Sequence, residues 1–176
     1  MKKQAIAMTA LVNELAAQLK QLADLQTLVN TAVREKLEAM RRADVNEIAR
    51  RSRREGELAA QILEVDQARR GVVARMCAAL GIPATENGRE ITLRSLLKKV
   101  SPVEREKLAA LANVLRDRMV VTAESNRVVE IVCHEMMAHF KVVFSAMTSA
   151  AADNGLYGEK GARAPSGEPM VLDAVG

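Results

Sequence analysis

SPVEREKLAALANVLRDRMVVTAESNRVVEIVCHEMMAHFKVVFSAMTSAAADN, residues 101–154, decides the fold. Ser101 is a helix-capping residue, Pro102 suits the first helical position, and Glu104 completes a capping box. No further Gly or Pro occurs until Gly155. Apolar or small residues recur in steps of three and four at Leu108, Ala112, Leu115, Met119, Thr122, Asn126, Val129, Cys133, Met136, Phe140, Val143 and Met147. That heptad-like seam predicts one helix of about fifty residues, roughly 75 Å long.

Upstream, Leu11, Leu15, Leu19, Leu22, Leu25, Val29, Val33, Leu37 and Met40 follow the same spacing and predict a first long helix from about Met8. Asp44, with Glu47 three residues on, is read as a second capping box, which places the first turn near residue 43. A second helix then carries Val45, Ile48, Leu58, Ile62, Val65, Val72, Met76 and Leu80. Gly81 suits its left-handed C-terminal cap and Pro83 lies just beyond. Gly56 and Gly71 each weaken this helix by about 1 kcal/mol relative to Ala, and a kink or break is considered at Gly56. Residues 81–91 are expected to form a loop with Asn87-Gly88 as turn chemistry, and Thr92 to cap a short helix ending near Val100.

The expected fold is therefore all-α: an antiparallel bundle of three long helices, with one short helix in the second connection. Composition agrees, since hydrophobic residues are 49% of the chain and aromatics only 2%, with nine Met. A core of Leu, Val, Ile, Ala and Met suits helix-on-helix packing. Residues 1–153 are assigned to the bundle. Residues 154–176 hold five of the nine Gly and two of the four Pro, and are expected to form a flexible tail. Cys77 and Cys133 lie in apolar helical stretches and are read as buried thiols in a reducing compartment. With no membrane-length apolar stretch and no credible signal-peptide cleavage site, a cytoplasmic protein without membrane insertion is expected.

Equal-rise alignment, with Pro102 beside Leu80, puts Asp44 opposite about residue 138, so Phe140, Val143, Phe144 and Met147 extend past their cover. The same region carries Val128, Val129, Ile131, Val132, Met136, Met137 and Val142, too many apolar residues for one narrow stripe. Both Phe and three of the nine Met of the chain lie here. Such a surface suits a helix-in-groove interaction, and Met makes it adaptable.

Catalytic and metal chemistry find no footing. His134, Glu135 and His139 approximate a zinc-protease motif, but the two His are five residues apart, so their rings point about 140° apart on a helix. No phosphate loop or nucleophile elbow is present, and neither an enzyme nor a cofactor is expected. Net charge is +4. The densest basic cluster, Arg41, Arg42, Arg50, Arg51, Arg53 and Arg54, lacks interleaved aromatics and is read as a solvated face, not a nucleic-acid site.

Two C-terminal stretches carry a family resemblance. Glu124-Ser125-Asn126-Arg127-Val128-Val129 resembles a segment of the FlgN family of flagellar export chaperones in which Asn precedes the hydrophobic residues of the last helix. Leu156-Tyr157-Gly158-Glu159-Lys160-Gly161 is similar to that family's L-Y-G-x-x-G motif. The resemblance implies a chaperone that binds the terminal helices of the hook-filament junction proteins FlgK and FlgL and delivers them to the flagellar export gate. It places client binding on Val128, Val129, Ile131, Val132, Met136, Met137, Phe140, Val143, Phe144 and Met147, and a gate contact on Tyr157. The chain departs from the family pattern after Gly161, where Pro165, Pro169 and the apolar Met170-Val171-Leu172 follow. The rival reading is a self-associating coiled-coil or adaptor protein.

Overall fold

The computed structural model describes residues 2–154 apart from 84, 87, 88 and 91. Four helices carry it: α1 (Lys2–Arg41), α2 (Val45–Leu80), α3 (Leu93–Leu97) and α4 (Pro102–Asn154). Between α2 and α3, in the expected loop, Thr85–Glu86 (β1) and Arg89–Glu90 (β2) pair antiparallel, with Thr85 opposite Glu90 and Glu86 opposite Arg89. The register leaves a two-residue connection, a length that favours tight hairpins. Asn87 and Gly88, expected to supply that turn, lie outside the described residues. So does the expected tail from Gly155 onward.

Both long turns end their first helix in the same way. At the end of α1 the Ala43 amide donates to the Met40 carbonyl and the Asp44 amide to that of Ala39, 3.0 Å each. At the end of α2 the Gly81 amide donates to Ala78 and the Ile82 amide to Cys77, at 3.2 and 3.0 Å. This pattern pairs otherwise orphaned carbonyls and requires a left-handed residue, here Ala43 at φ 52° and Gly81 at φ 66°. Asp44 then caps α2 by accepting the Glu47 amide at 3.0 Å. The reciprocal half of the expected box is not made. The Asp44 amide already serves α1, and the Glu47 carboxylate binds Arg50 and Arg51. α2 runs through Gly56 and Gly71 as one helix of 36 residues, without a break at Gly56.

The chain divides into two compact units, residues 1–129 and 130–176. In the first, α1 and α2 form an antiparallel hairpin whose backbones approach closely. Antiparallel pairing places the ion pair Glu14–Arg75 toward the start of α1 and the end of α2, and the pairs Glu35–Arg51 and Lys36–Glu55 toward the turn between the two helices. One apolar cluster joins Val12, Leu15 and Leu19 of α1, Val72, Met76 and Cys77 of α2, Leu96 of α3 and Leu108 of α4. A second, made chiefly by the hairpin, holds Leu22, Leu25, Ala32, Leu58 and Val65.

The first part of α4 runs parallel to α1, with side chains meeting at a nearly constant offset of 94 or 95 residues: Glu104 with Thr9, Lys107 with Asn13, Arg118 with Asp24, Ser125 with Asn30. Its start is the expected box, in which Ser101 Oγ accepts the Glu104 amide at 3.4 Å and the Ser101 amide donates to Glu104 Oε2 at 3.3 Å. Leu108 is fully buried, but farther along the contacts turn polar. Thr122 Oγ1 donates to the Gln26 carbonyl at 3.3 Å and Ser125 Oγ to Asn30 Oδ1 at 2.7 Å. The first unit is thus a tight two-helix hairpin with α4 joined to it through side chains. The second unit, as far as it is described, is the continuation of α4 from residue 130 to 154.

Candidate functional site

A helix normally buries one stripe and wets the rest. Within the first unit, α4 obeys this on one side: Leu108, Thr122 and Val129 are buried, and Leu111 and Leu115 half-buried. Val129, expected in the binding surface, is only 8% exposed and belongs to this covered set. Val128, one step around the helix, is exposed. Met119 is exposed as well, although the heptad seam included it, and Val114, Val120 and Val121 join it. Sequence reading passed over these last three because they fall beside the seam. The buried partner at this level is instead Thr122, a polar residue.

No side chain described between residues 130 and 149 is buried. Val132 and Met136 are half-buried, and Ile131, Met137, Phe140, Val142, Val143, Phe144 and Met147 are exposed. At 100° per residue, Met136, Met137, Phe140, Val143, Phe144 and Met147 fall within an arc of about 120°. The two Phe side chains, at 63% and 68% exposure, stand on consecutive turns within that arc, with Met137 and Val143 at its two edges. Ile131 and Val142 lie on the other side of the helix. Of the ten residues read from the sequence, these six share one face of the helix, while Val128 and Ile131 are exposed elsewhere on it, Val132 is half-buried and Val129 is buried.

Three further expectations meet the structure here. Cys77 is buried, and burial raises its thiol pKa above the usual value, whereas Cys133 is exposed and corrects the expectation of two buried thiols. Cys133 lies beyond Val129, the last buried position of α4 among the described side chains. Most of the basic cluster is paired: Arg41 with Glu38, Arg50 and Arg51 with Glu47, Arg51 also with Glu35, and Arg54 with Glu57. These pairs spread the charge over a mixed, solvated face. Among the described residues, no three His, Cys, Asp or Glu side chains gather as a metal site, and no helix is long and apolar enough to cross a membrane. Tyr157 lies outside the described residues.

Among the described residues, α1 and α2 form a close helical hairpin, and the apolar side chains of the last part of α4 are half-buried or exposed. The sequence model of the FlgN protein family matches residues 8–165, nearly the whole chain, and the protein belongs to that family of flagellar chaperones. No curated protein and no solved structure matches it.

Proposed function

We propose that this chain is a cytoplasmic flagellar export chaperone that holds the terminal helices of FlgK-like or FlgL-like junction proteins on the α4 stripe and delivers them to the export gate. The observation that carries the reading is the apolar arc of Met136, Met137, Phe140, Val143, Phe144 and Met147, all exposed among the described residues except the half-buried Met136. Family membership supplies the chaperone role. A client helix laid along that arc would exchange water for apolar contact on both partners, at about 25 cal/mol per Å². Ordering the client and the side chains offsets part of that gain, so affinity is moderate and the client can be released. Tyr157, in the Leu156–Gly161 motif, is the proposed contact with the gate, separate from the client surface.

Co-purification tests the client assignment. The wild-type chain is expected to retain a C-terminal junction-protein segment, and Phe140→Asp and Met136→Asp to lose it while helicity stays unchanged. Retention by both variants would remove the stripe from the client site. The seam that continues through Phe140 and Met147 also fits a second copy of this helix. Light scattering on the free protein separates the readings, because a stable dimer with the stripe already covered favours self-association.

A further inference from the structure

A groove in the first unit takes no part in the client reading. It lies between α3 and the start of α4, with a volume of about 330 Å³. Its apolar lining is half-buried, Leu93 and Leu97 from α3 and Ala109 and Ala112 from α4. Exposed Lys98, Arg105 and Arg116 stand around it, and neither a carboxylate nor an aromatic ring lines it.

The three cations keep their charge. Arg105 donates from Nε to the Leu97 carbonyl at 2.9 Å and from Nη2 to the Val100 carbonyl at 3.5 Å, and Arg116 donates to Asn113 Oδ1 at 2.9 Å. All these partners are neutral. None of the three cations makes an ion pair among the described residues, whereas Arg41, Arg50, Arg51 and Arg54 near the first turn are all paired. The same face continues along α4. At 100° per residue Arg105, Ala109, Ala112, Arg116, Val120 and Arg127 fall within an arc of about 80°, over about 33 Å of helix. Val120 and Arg127 are exposed. No acidic residue of α4 before Val129 falls in that arc, since Glu106, Asp117 and Glu124 stand about 40–60° beyond its edge and Glu104 on the side facing α1.

We propose that this groove and the arc beyond it dock an acidic amphipathic helix of a second protein. An apolar side chain of that helix sits among Leu93, Leu97, Ala109 and Ala112, and its carboxylates meet Lys98, Arg116 and Arg127. Charge complementarity selects the occupant. An apolar seat alone takes any hydrophobic segment, but unpaired cations around it favour one with acidic flanks. Single-stranded nucleic acid fits less well, because the groove has no ring on which a base could stack. The site shares no residue with the client stripe and does not rest on that assignment.

The test titrates a fluorescent helical peptide of Glu and Ala, carrying two Leu one turn apart, into the full chain and follows polarisation. Binding is expected to weaken as salt rises. It is expected to fall at least tenfold in the double variant Lys98→Glu, Arg116→Glu, and also in Ala112→Gln, which fills the groove without altering charge. The double variant Arg53→Glu, Arg54→Glu makes the same charge change elsewhere, and Phe140→Asp disrupts the client stripe. Both are expected to bind as the wild type does. No binding by the wild-type chain, or wild-type binding by the Lys98→Glu, Arg116→Glu variant, would overturn the docking site. So would an equal loss in Arg53→Glu, Arg54→Glu or in Phe140→Asp, or equal binding of a peptide with Gln in place of Glu. Tighter binding of a single-stranded oligothymidine would overturn it in favour of nucleic acid. A dimer seen by light scattering and lost in Lys98→Glu, Arg116→Glu would overturn it in favour of a second copy.

Discussion

Ala43 shows how much one residue can carry in this fold. It holds φ 52°, the left-handed conformation that a Cβ disfavours by roughly 1–2 kcal/mol, and it does so to close α1 with the same two hydrogen bonds that Gly81 makes for α2. Ala43→Gly is therefore expected to raise stability by about 0.5 kcal/mol, the relieved strain being partly offset by the entropy of the freer unfolded chain. Urea unfolding checks this through a higher midpoint at unchanged slope. Lys36 and Glu55 make a second local commitment. Their ion pair joins α1 to α2 with both side chains largely covered, and Glu55 Oε1 has no hydrogen-bond partner. Lys36→Ala leaves that carboxylate without its cation and is expected to cost about 2 kcal/mol. The double variant Lys36→Leu, Glu55→Leu should regain most of the loss, and a double variant as unstable as the single one would show that the pair itself holds the hairpin.

Among the elements, α4 divides into residues that build the fold and residues that do not. Leu108 is fully buried in the cluster shared by all four helices, so Leu108→Ala is expected to cost about 3 kcal/mol. Phe140 is the larger side chain, yet Phe140→Asp is expected to stay within about 0.5 kcal/mol of wild type, because it is exposed among the described residues. Thermal unfolding of the two variants tests the distinction, and a large loss in Phe140→Asp would mean that the stripe belongs to the interior. These limits explain what was legible in advance. The helix boundaries at Ser101, Asp44 and Gly81 were readable because each is written in local capping chemistry. The polar seam of Arg118, Thr122 and Ser125 against α1 was not, since hydrogen bonds to Asp24, the Gln26 carbonyl and Asn30 leave no mark on hydrophobic periodicity.

For the molecule as a whole, the sequence pattern was enough to show that the last helix carries more apolar surface than one bundle face requires. It could not separate Val129, buried, from Val128, exposed, because two adjacent valines look alike until the helix has a definite rotation. Six of the ten residues read from the sequence, Met136, Met137, Phe140, Val143, Phe144 and Met147, share one arc of the helix by spacing alone. Function on this account depends on that arc being free to receive a partner helix. The most direct measurement is the affinity of the full chain for a FlgK-like or FlgL-like C-terminal segment by calorimetry, beside Phe140→Asp and Phe144→Asp variants of unchanged helicity. A loss of at least tenfold in each variant, about 1.4 kcal/mol, is the predicted result. Equal binding by all three proteins would contradict it.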